Sequence, residues 1–251
     1  MIRIAGDDLN IENYIKVMSE GNPFGCRISS LYNTYDYRLP FVDYWIQVDD
    51  NKCVSIIARL ETSFILLLTD LSDMEEISSF IRVSGAASII CDGKYEIDCA
   101  LTRLEGPILS SRVIMDNPQK AEVIEPTVKE VYSLISKCAS KNFAVPSYES
   151  FALDVGHKLN KNTVRIYGIK DSELISCIMT LAESPDSAVL GALATDPDYR
   201  NKGYGAFLIK YINNVLVKEG RAVFLHRAPD ENIEFYNKLG FDLYGKWAEY
   251  R

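Results

Sequence analysis

Residues 188–195, Ala-Val-Leu-Gly-Ala-Leu-Ala-Thr, form an apolar run without a charge. Such a run reads as a strand buried on both faces, the situation of a central strand in a sheet covered by helices. The chain then turns through Asp-Pro-Asp-Tyr-Arg-Asn-Lys-Gly-Tyr-Gly, residues 196–205. From there Phe207, Leu208, Tyr211, Ile212, Val215 and Leu216 mark one helical face, and Gly220 suits a C-terminal cap. A buried strand, a basic glycine loop and an amphipathic helix specify an α/β unit.

The loop has its own chemistry. Asn201 to Ala206 bridge a strand end and a helix start, where the first backbone N–H groups lack acceptors and the helix dipole is positive. An anion is favoured there. Gly203 and Gly205 remove side chains that would block a phosphate, while Arg200 and Lys202 add charge, so a pyrophosphate is the natural guest. The nucleotide-hydrolase pattern GxxxxGK[ST] is absent, and Leu208 stands where the dinucleotide fingerprint needs its third glycine. An isolated Gly-x-Gly usually marks only a turn, so the context of this one has to decide.

With 251 residues the chain is large for one domain and comfortable for two. A net charge of -8 argues against nucleic acid or an anionic membrane as the main partner. No basic leader and no membrane-length apolar run are visible, so a cytoplasmic protein is expected. The six cysteines are scattered and only His157 and His226 are present, so no metal is expected and the thiols read as free and buried.

Along the first half, periodicity predicts a helix over 8–20 behind Asp8, ended by Gly21 and Pro23. A tyrosine-rich stretch follows, then strands at 41–48, 52–60 and 63–69. A helix is expected over 73–85, a strand at 86–93 and an alternating strand at 94–104. Tyr32, Tyr35, Tyr37, Tyr44 and Trp45 read as packing residues, or else as the lining of a substrate groove. The pattern weakens between Pro107 and Pro126, which places a domain boundary near 118: 1–118 and 119–251. The second half restarts with a strand at 121–125. Helices at 127–140 and 148–159 follow, then strands at 163–170, 173–182 and 188–195. After the glycine-loop helix come a strand at 222–226, a helix over 231–239 and a strand-rich tail from Phe241.

The halves echo each other. A strand ending in Thr69-Asp70, a helix, Gly85 and an apolar strand parallel the order around Thr195-Asp196 and Gly220. The first copy lacks the basic glycine segment, so its ligand loop is expected to be lost.

Arg-Asn-Lys-Gly-Tyr-Gly, residues 200–205, matches the [RQ]-x-x-G-x-[GA] signature of the GCN5-related N-acetyltransferases (GNAT), and Glu-Asn-Ile-Glu-Phe-Tyr-Asn-Lys-Leu-Gly-Phe, 231–241, looks like that family's second motif. The resemblance covers roughly 121–251 and implies a tandem GNAT-like, acyl-CoA N-acyltransferase fold, with a mixed central sheet flanked by helices in each half. It also implies acetyl-CoA as co-substrate, with its pyrophosphate on Arg200, Asn201, Lys202, Gly203, Tyr204, Gly205 and Ala206. The pantetheine arm would lie along Leu193, Ala194 and Thr195 where two parallel strands splay apart, and Asn232 would hold it from the second motif. An amine would attack the thioester directly, making the protein an N-acetyltransferase (EC 2.3.1) with a small-molecule or peptide amine acceptor. The alternative is a non-catalytic CoA-binding or interaction protein. Oligomeric state stays open.

Three residues are candidates for moving protons. Tyr236 can protonate the leaving thiolate, although it also fits the apolar face of its helix. Glu183 is a candidate base at the end of a strand, with a solvated turn residue as the other reading. His226, which ends an apolar strand, is a second candidate base.

Overall fold

The computed structural model describes residues 1–4, 11–35, 39–118, 121–140, 144–228 and 232–251. They divide into two compact units, Met1–Ile108 with Leu243–Arg251, and Leu109–Asp242. The division differs from the boundary near 118: the break falls earlier, and the last residues of the chain belong with the first unit.

The first unit opens with β1 (Ile2–Ile4) and α1 (Ile11–Met18); Asp8 and Leu9 of the expected helix lie outside the described residues. Pro23 does not end a helix but starts one, α2 (Pro23–Thr34). The Asn22 side chain accepts from the N–H groups of Phe24 and Gly25, and Pro23 has no N–H to satisfy. The helix therefore runs into the start of the tyrosine-rich stretch, through Tyr32. Then come β2 (Val42–Asp49), β3 (Lys52–Leu60) and β4 (Ser63–Leu68), joined by tight turns. Helix α3 (Met74–Ser84) runs between an Asp73 cap and a left-handed Gly85, and β5 (Ser88–Asp92) follows.

Residues 94–102, expected to be a strand, are turns and irregular backbone; the strand β6 (Arg103–Ser111) starts later and includes Pro107. Alternation alone misled there. The segment is held instead by Arg103, which donates to the carbonyls of Gly93 (2.6 Å) and Tyr95 (3.0 Å). In the first unit the strand order is β1-β2-β3-β4-β5-β11, where β11 is Asp242–Tyr250 at the end of the chain. β11 pairs antiparallel with β5, from Trp247 opposite Asp92 to Tyr250 opposite Ile89. β4 and β5 run parallel. One face of this sheet packs on Ile77 and Ile81 of α3, with Ile57, Leu66, Cys91, Ala248 and Tyr250 in the same buried cluster.

In the second unit the expected strand at 121–125 is reduced to a single bridge, Ile124 to Gly168. Helix α4 (Val128–Lys137) starts in a reciprocal cap between Thr127 and Glu130, and α5 (Tyr148–Asn160) starts on Ser147. β7 (Ile166–Lys170), β8 (Leu174–Glu183) and β9 (Ser187–Thr195) form an antiparallel meander. Helix α6 (Tyr204–Lys218), β10 (Ala222–His226) and α7 (Ile233–Leu239) complete the unit; Glu231 is outside the described residues. The order is β10-β9-β8-β7, with β10 parallel to β9. α6 lies on one face with Leu208, Ile212 and Leu216 fully buried, and α4 and α5 cover the other through Val131, Leu134, Phe151 and Val155. None of the six cysteines forms a disulfide; Cys26, Cys91 and Cys177 are buried as expected, whereas Cys53, Cys99 and Cys138 are only partly buried, and burial pushes the Cys91 and Cys177 thiols up to about 12. No helix among the described residues is long and apolar enough to cross a membrane.

Candidate acyl-CoA site

β9 is paired with β8 from Glu183 opposite Ala188 to Ser176 opposite Thr195, with two register shifts, one of which leaves Ala192 and Leu193 without partners on β8. Its pairing with β10 is shorter, running from Ala222 opposite Ser187 to Leu225 opposite Leu190. Beyond Leu190 no described residue of β10 partners β9, so Gly191 to Thr195 line an opening between two parallel strands. The first half of β9 is buried as its apolar sequence requires, but Gly191, Ala192, Leu193 and Thr195 are partly exposed and only Ala194 is buried. Within the opening Ala192 has φ +48°, a left-handed conformation that costs a non-glycine residue about 1–2 kcal/mol. Gly191 precedes it because a Cβ there would fall 2.5 Å from a methyl group of Leu181. The bend at Ala192 was not foreseen, although a glycine inside an apolar strand is the signal for such an irregularity.

At the mouth of the opening the chain leaves β9 through Asp196, which caps a 3-10 turn, Pro197–Tyr199. One oxygen of Asp196 accepts from the Asp198 N–H (3.0 Å), and the other accepts from Lys137 Nζ on α4 (2.6 Å). Arg200 Nε donates to the Thr195 carbonyl (3.1 Å). Lys202 donates to the Asp198 carbonyl (3.2 Å) and sits over the Tyr199 ring. Asn201 and Gly203 take positive φ, +59° and +86°, which turns the loop back into α6. α6 has no side-chain cap and no acidic residue in its first turn. Among the described residues the N–H groups of Tyr204, Gly205 and Ala206 donate to nothing. A Cβ on Gly205 would meet side chains alone, Thr195 Oγ1 at 3.4 Å and Leu193 Cδ1 at 3.9 Å, so internal packing does not require glycine there.

This arrangement fits a phosphate: free N–H donors, a clear floor and two cations at the rim. The corresponding corner of the first unit does not fit. β4 and β5 also part after Ile65 opposite Ile90, but α3 is capped by Asp73 and carries Glu75 and Glu76 in its first turn. Asp70 is further tied across the gap to Lys94 (2.9 Å) and Tyr95 (3.1 Å). The first opening survives; the anion-binding chemistry does not.

The remaining expected residues fall as follows. Asn232 is exposed with φ +58° and caps nothing with its side chain. Tyr236 on α7 is partly buried between Phe235 and Phe241, and burial pushes its phenol up to about 12 although the charge of Arg227 opposes this. His226 ends β10 one residue beyond its last partner on β9, at the apex of the opening. Glu183 does not line the opening. It pairs with Ala188, roughly 20 Å along β9 from Thr195 at ~3.3 Å per residue. It is 5% exposed, and its oxygens accept from Arg165 (2.8 and 3.1 Å), Thr180 (2.8 Å) and Arg221. A solvated turn residue would have been free to act as a base; this one is held by two guanidinium groups. The aromatic residues of the first unit are mostly packing: Tyr44 meets Tyr32, and Trp45 meets Phe64 and Phe80, while Tyr37 lies outside the described residues.

A family model described as FR47-like protein matches residues 166–251. Among solved structures, a tandem GNAT protein from the clavulanic acid biosynthesis pathway is similar over all of this chain and 98% of its own, at 13% identity and a TM-score of 0.60. A GCN5-related N-acetyltransferase from Sphaerobacter thermophilus matches over 100% of this chain and 94% of its own, at 10% identity and 0.59. A GNAT-family acetyltransferase from Novosphingobium aromaticivorans matches 77% of this chain and 86% of its own, at 16% and 0.52. The fold is that of the GNAT acetyltransferases. No curated protein matches the sequence. In GNAT terms, the open pair β9/β10 and the loop at the start of α6 are where sequence resemblance and geometry coincide.

Proposed function

We propose that the second unit binds acetyl-CoA and transfers its acetyl group to a primary amine. The observation that carries this is the parting of β9 and β10 after Leu190 directly before an uncapped, glycine-lined helix N-terminus. Tyr204, Gly205 and Ala206 hold the pyrophosphate by their N–H groups, with Arg200 and Lys202 supplying charge and Asn201 and Gly203 shaping the turn. Leu193, Ala194 and Thr195 accept the pantetheine arm as an added strand, and Asn232 holds it from the other side. The bend at Ala192 turns a backbone N–H out of the ladder toward the thioester carbonyl oxygen. Tyr236, protonated across the physiological range, donates to the leaving thiolate. Glu183 has no part in this scheme.

Calorimetric titration with acetyl-CoA tests the reading. Binding by the wild type that a Gly203→Asp, Gly205→Asp double variant abolishes supports it; no binding by the wild type overturns it. Turnover against a panel of amines then separates an enzyme from a protein that only holds CoA, because Tyr236→Phe slows the first and leaves the second unchanged.

A further inference from the structure

The first unit contains a cation that no hydrogen bond explains. Arg27 sits on α2, whose neighbouring residues Phe24, Cys26 and Ile28 are almost fully buried. Its Nε is buried without a partner, while the side chain as a whole is partly exposed. Among the described carboxylates Glu249 on β11 acts on it through space, and is itself one-third exposed and paired with Arg251 at 3.8 Å. Two further buried polar atoms without partners lie against the same helix. Ser19 Oγ belongs to the residue in close contact with Gly25, and Tyr44 Oη to the ring packed edge-on against Tyr32. α2 packs on β4 and β5, the two strands that part after Ile65 and Ile90. A buried Nε donor left unused is costly, and that cost is offset when an acceptor reaches it from the exposed side of the guanidinium.

We propose that Arg27 is the anchor of a small-oxoanion site in the first unit, taking a carboxylate or a phosphate group in the two-pronged manner of a guanidinium. A planar fork of N–H donors matches two oxygens of either group, and little else would satisfy several donors at once. Nothing in this site depends on the loop of the second unit. Glu249 faces the same cation and would repel the guest, which limits affinity and gives the proposal a handle.

The test uses the full chain and follows its melting temperature with inorganic phosphate or acetate added at constant ionic strength, chloride being the control. The expected result is a rise of a few degrees with at least one of the two anions, larger in Glu249→Gln and absent in Arg27→Met. The response to phosphate against acetate says which oxoanion the site takes. Arg27→Lys, which keeps the charge but loses the fork, should bind at least tenfold more weakly. Without any anion, Arg27→Met should melt no lower than the wild type, since it removes a buried donor that no acceptor satisfies. The proposal is overturned if neither anion shifts the wild type or Glu249→Gln beyond chloride, or if the shift persists in Arg27→Met. A lower melting temperature for Arg27→Met alone would equally overturn it, because Arg27 would then be stabilised by Glu249 and have no need of a guest.

Discussion

Tyr236 and Glu183 are both polar residues of the second unit, one packed among aromatic rings and the other held by guanidinium groups. Tyr236 keeps its proton: its pKa rises from 10.0 to about 12 because burial disfavours the phenolate. A raised pKa means that its contribution to stability is complete below pH 10 and is lost as the pH climbs toward 12. Urea unfolding should therefore show the wild type falling by on the order of 1–2 kcal/mol relative to Tyr236→Phe across that window; parallel curves would contradict it. The same substitution should lower kcat by about 100-fold or more if the phenol is the acid. The Glu183 carboxylate is shared between Arg165 and Arg221. Glu183→Ala removes the buried carboxylate between two guanidinium groups that then keep only Glu219, and should cost about 1–3 kcal/mol in denaturant melts. Activity per folded molecule should not change, and a selective loss of kcat would return Glu183 to the catalytic candidates. Tyr236 could be picked out in the sequence because its motif is local. The partners of Glu183 could not, since Arg165 and Arg221 are distant in the chain and meet it only through strand pairing.

At the level of elements, the unit of β9, loop and α6 was legible because each part declares itself within a few residues. An uncharged strand, two glycines and a 3.6-residue apolar repeat are sufficient. The structure adds that the two glycines are needed for different reasons. Gly203 has φ +86°, so Gly203→Ala should destabilise the fold by about 1–2 kcal/mol. A Cβ on Gly205 would meet only side-chain atoms, of Thr195 and Leu193, at ordinary contact distances, so Gly205→Ala should change stability by less than about 0.5 kcal/mol while weakening acetyl-CoA binding at least tenfold. Comparing melting curves with calorimetry on the two variants checks both statements, and equal effects on stability would refute the distinction. Lys137 was invisible in the sequence as part of the site. Its contact with Asp196 ties α4 to the exit of β9, a link between positions far apart in the chain. Helix α2 was missed for the opposite reason: Asn22-Pro23 carries a start signal, but the proline was taken as a stop.

At the scale of the molecule, the last strand belongs to the first unit. Ala248 and Tyr250 are buried in its core, and the Tyr250 hydroxyl accepts from the Ile97 N–H (2.9 Å) and from Arg103 (3.0 Å). Truncation after Asp242 should therefore expose β5 and make the first unit sensitive to limited proteolysis. Protection of the first unit equal to that of the intact chain would show that β11 is dispensable. A fragment 1–118, cut where the sequence pattern weakens, lacks the same strand and should share the defect. The repeated strand, helix, strand order could be read in both halves, because amphipathic periodicity and turn residues act over a few positions. So could the loss of the anion loop from the first copy. Which residues face the opening, where β9 bends, and which unit receives the final strand were decided only by tertiary structure. Strand pairing, ion pairing and burial join residues that no local pattern connects.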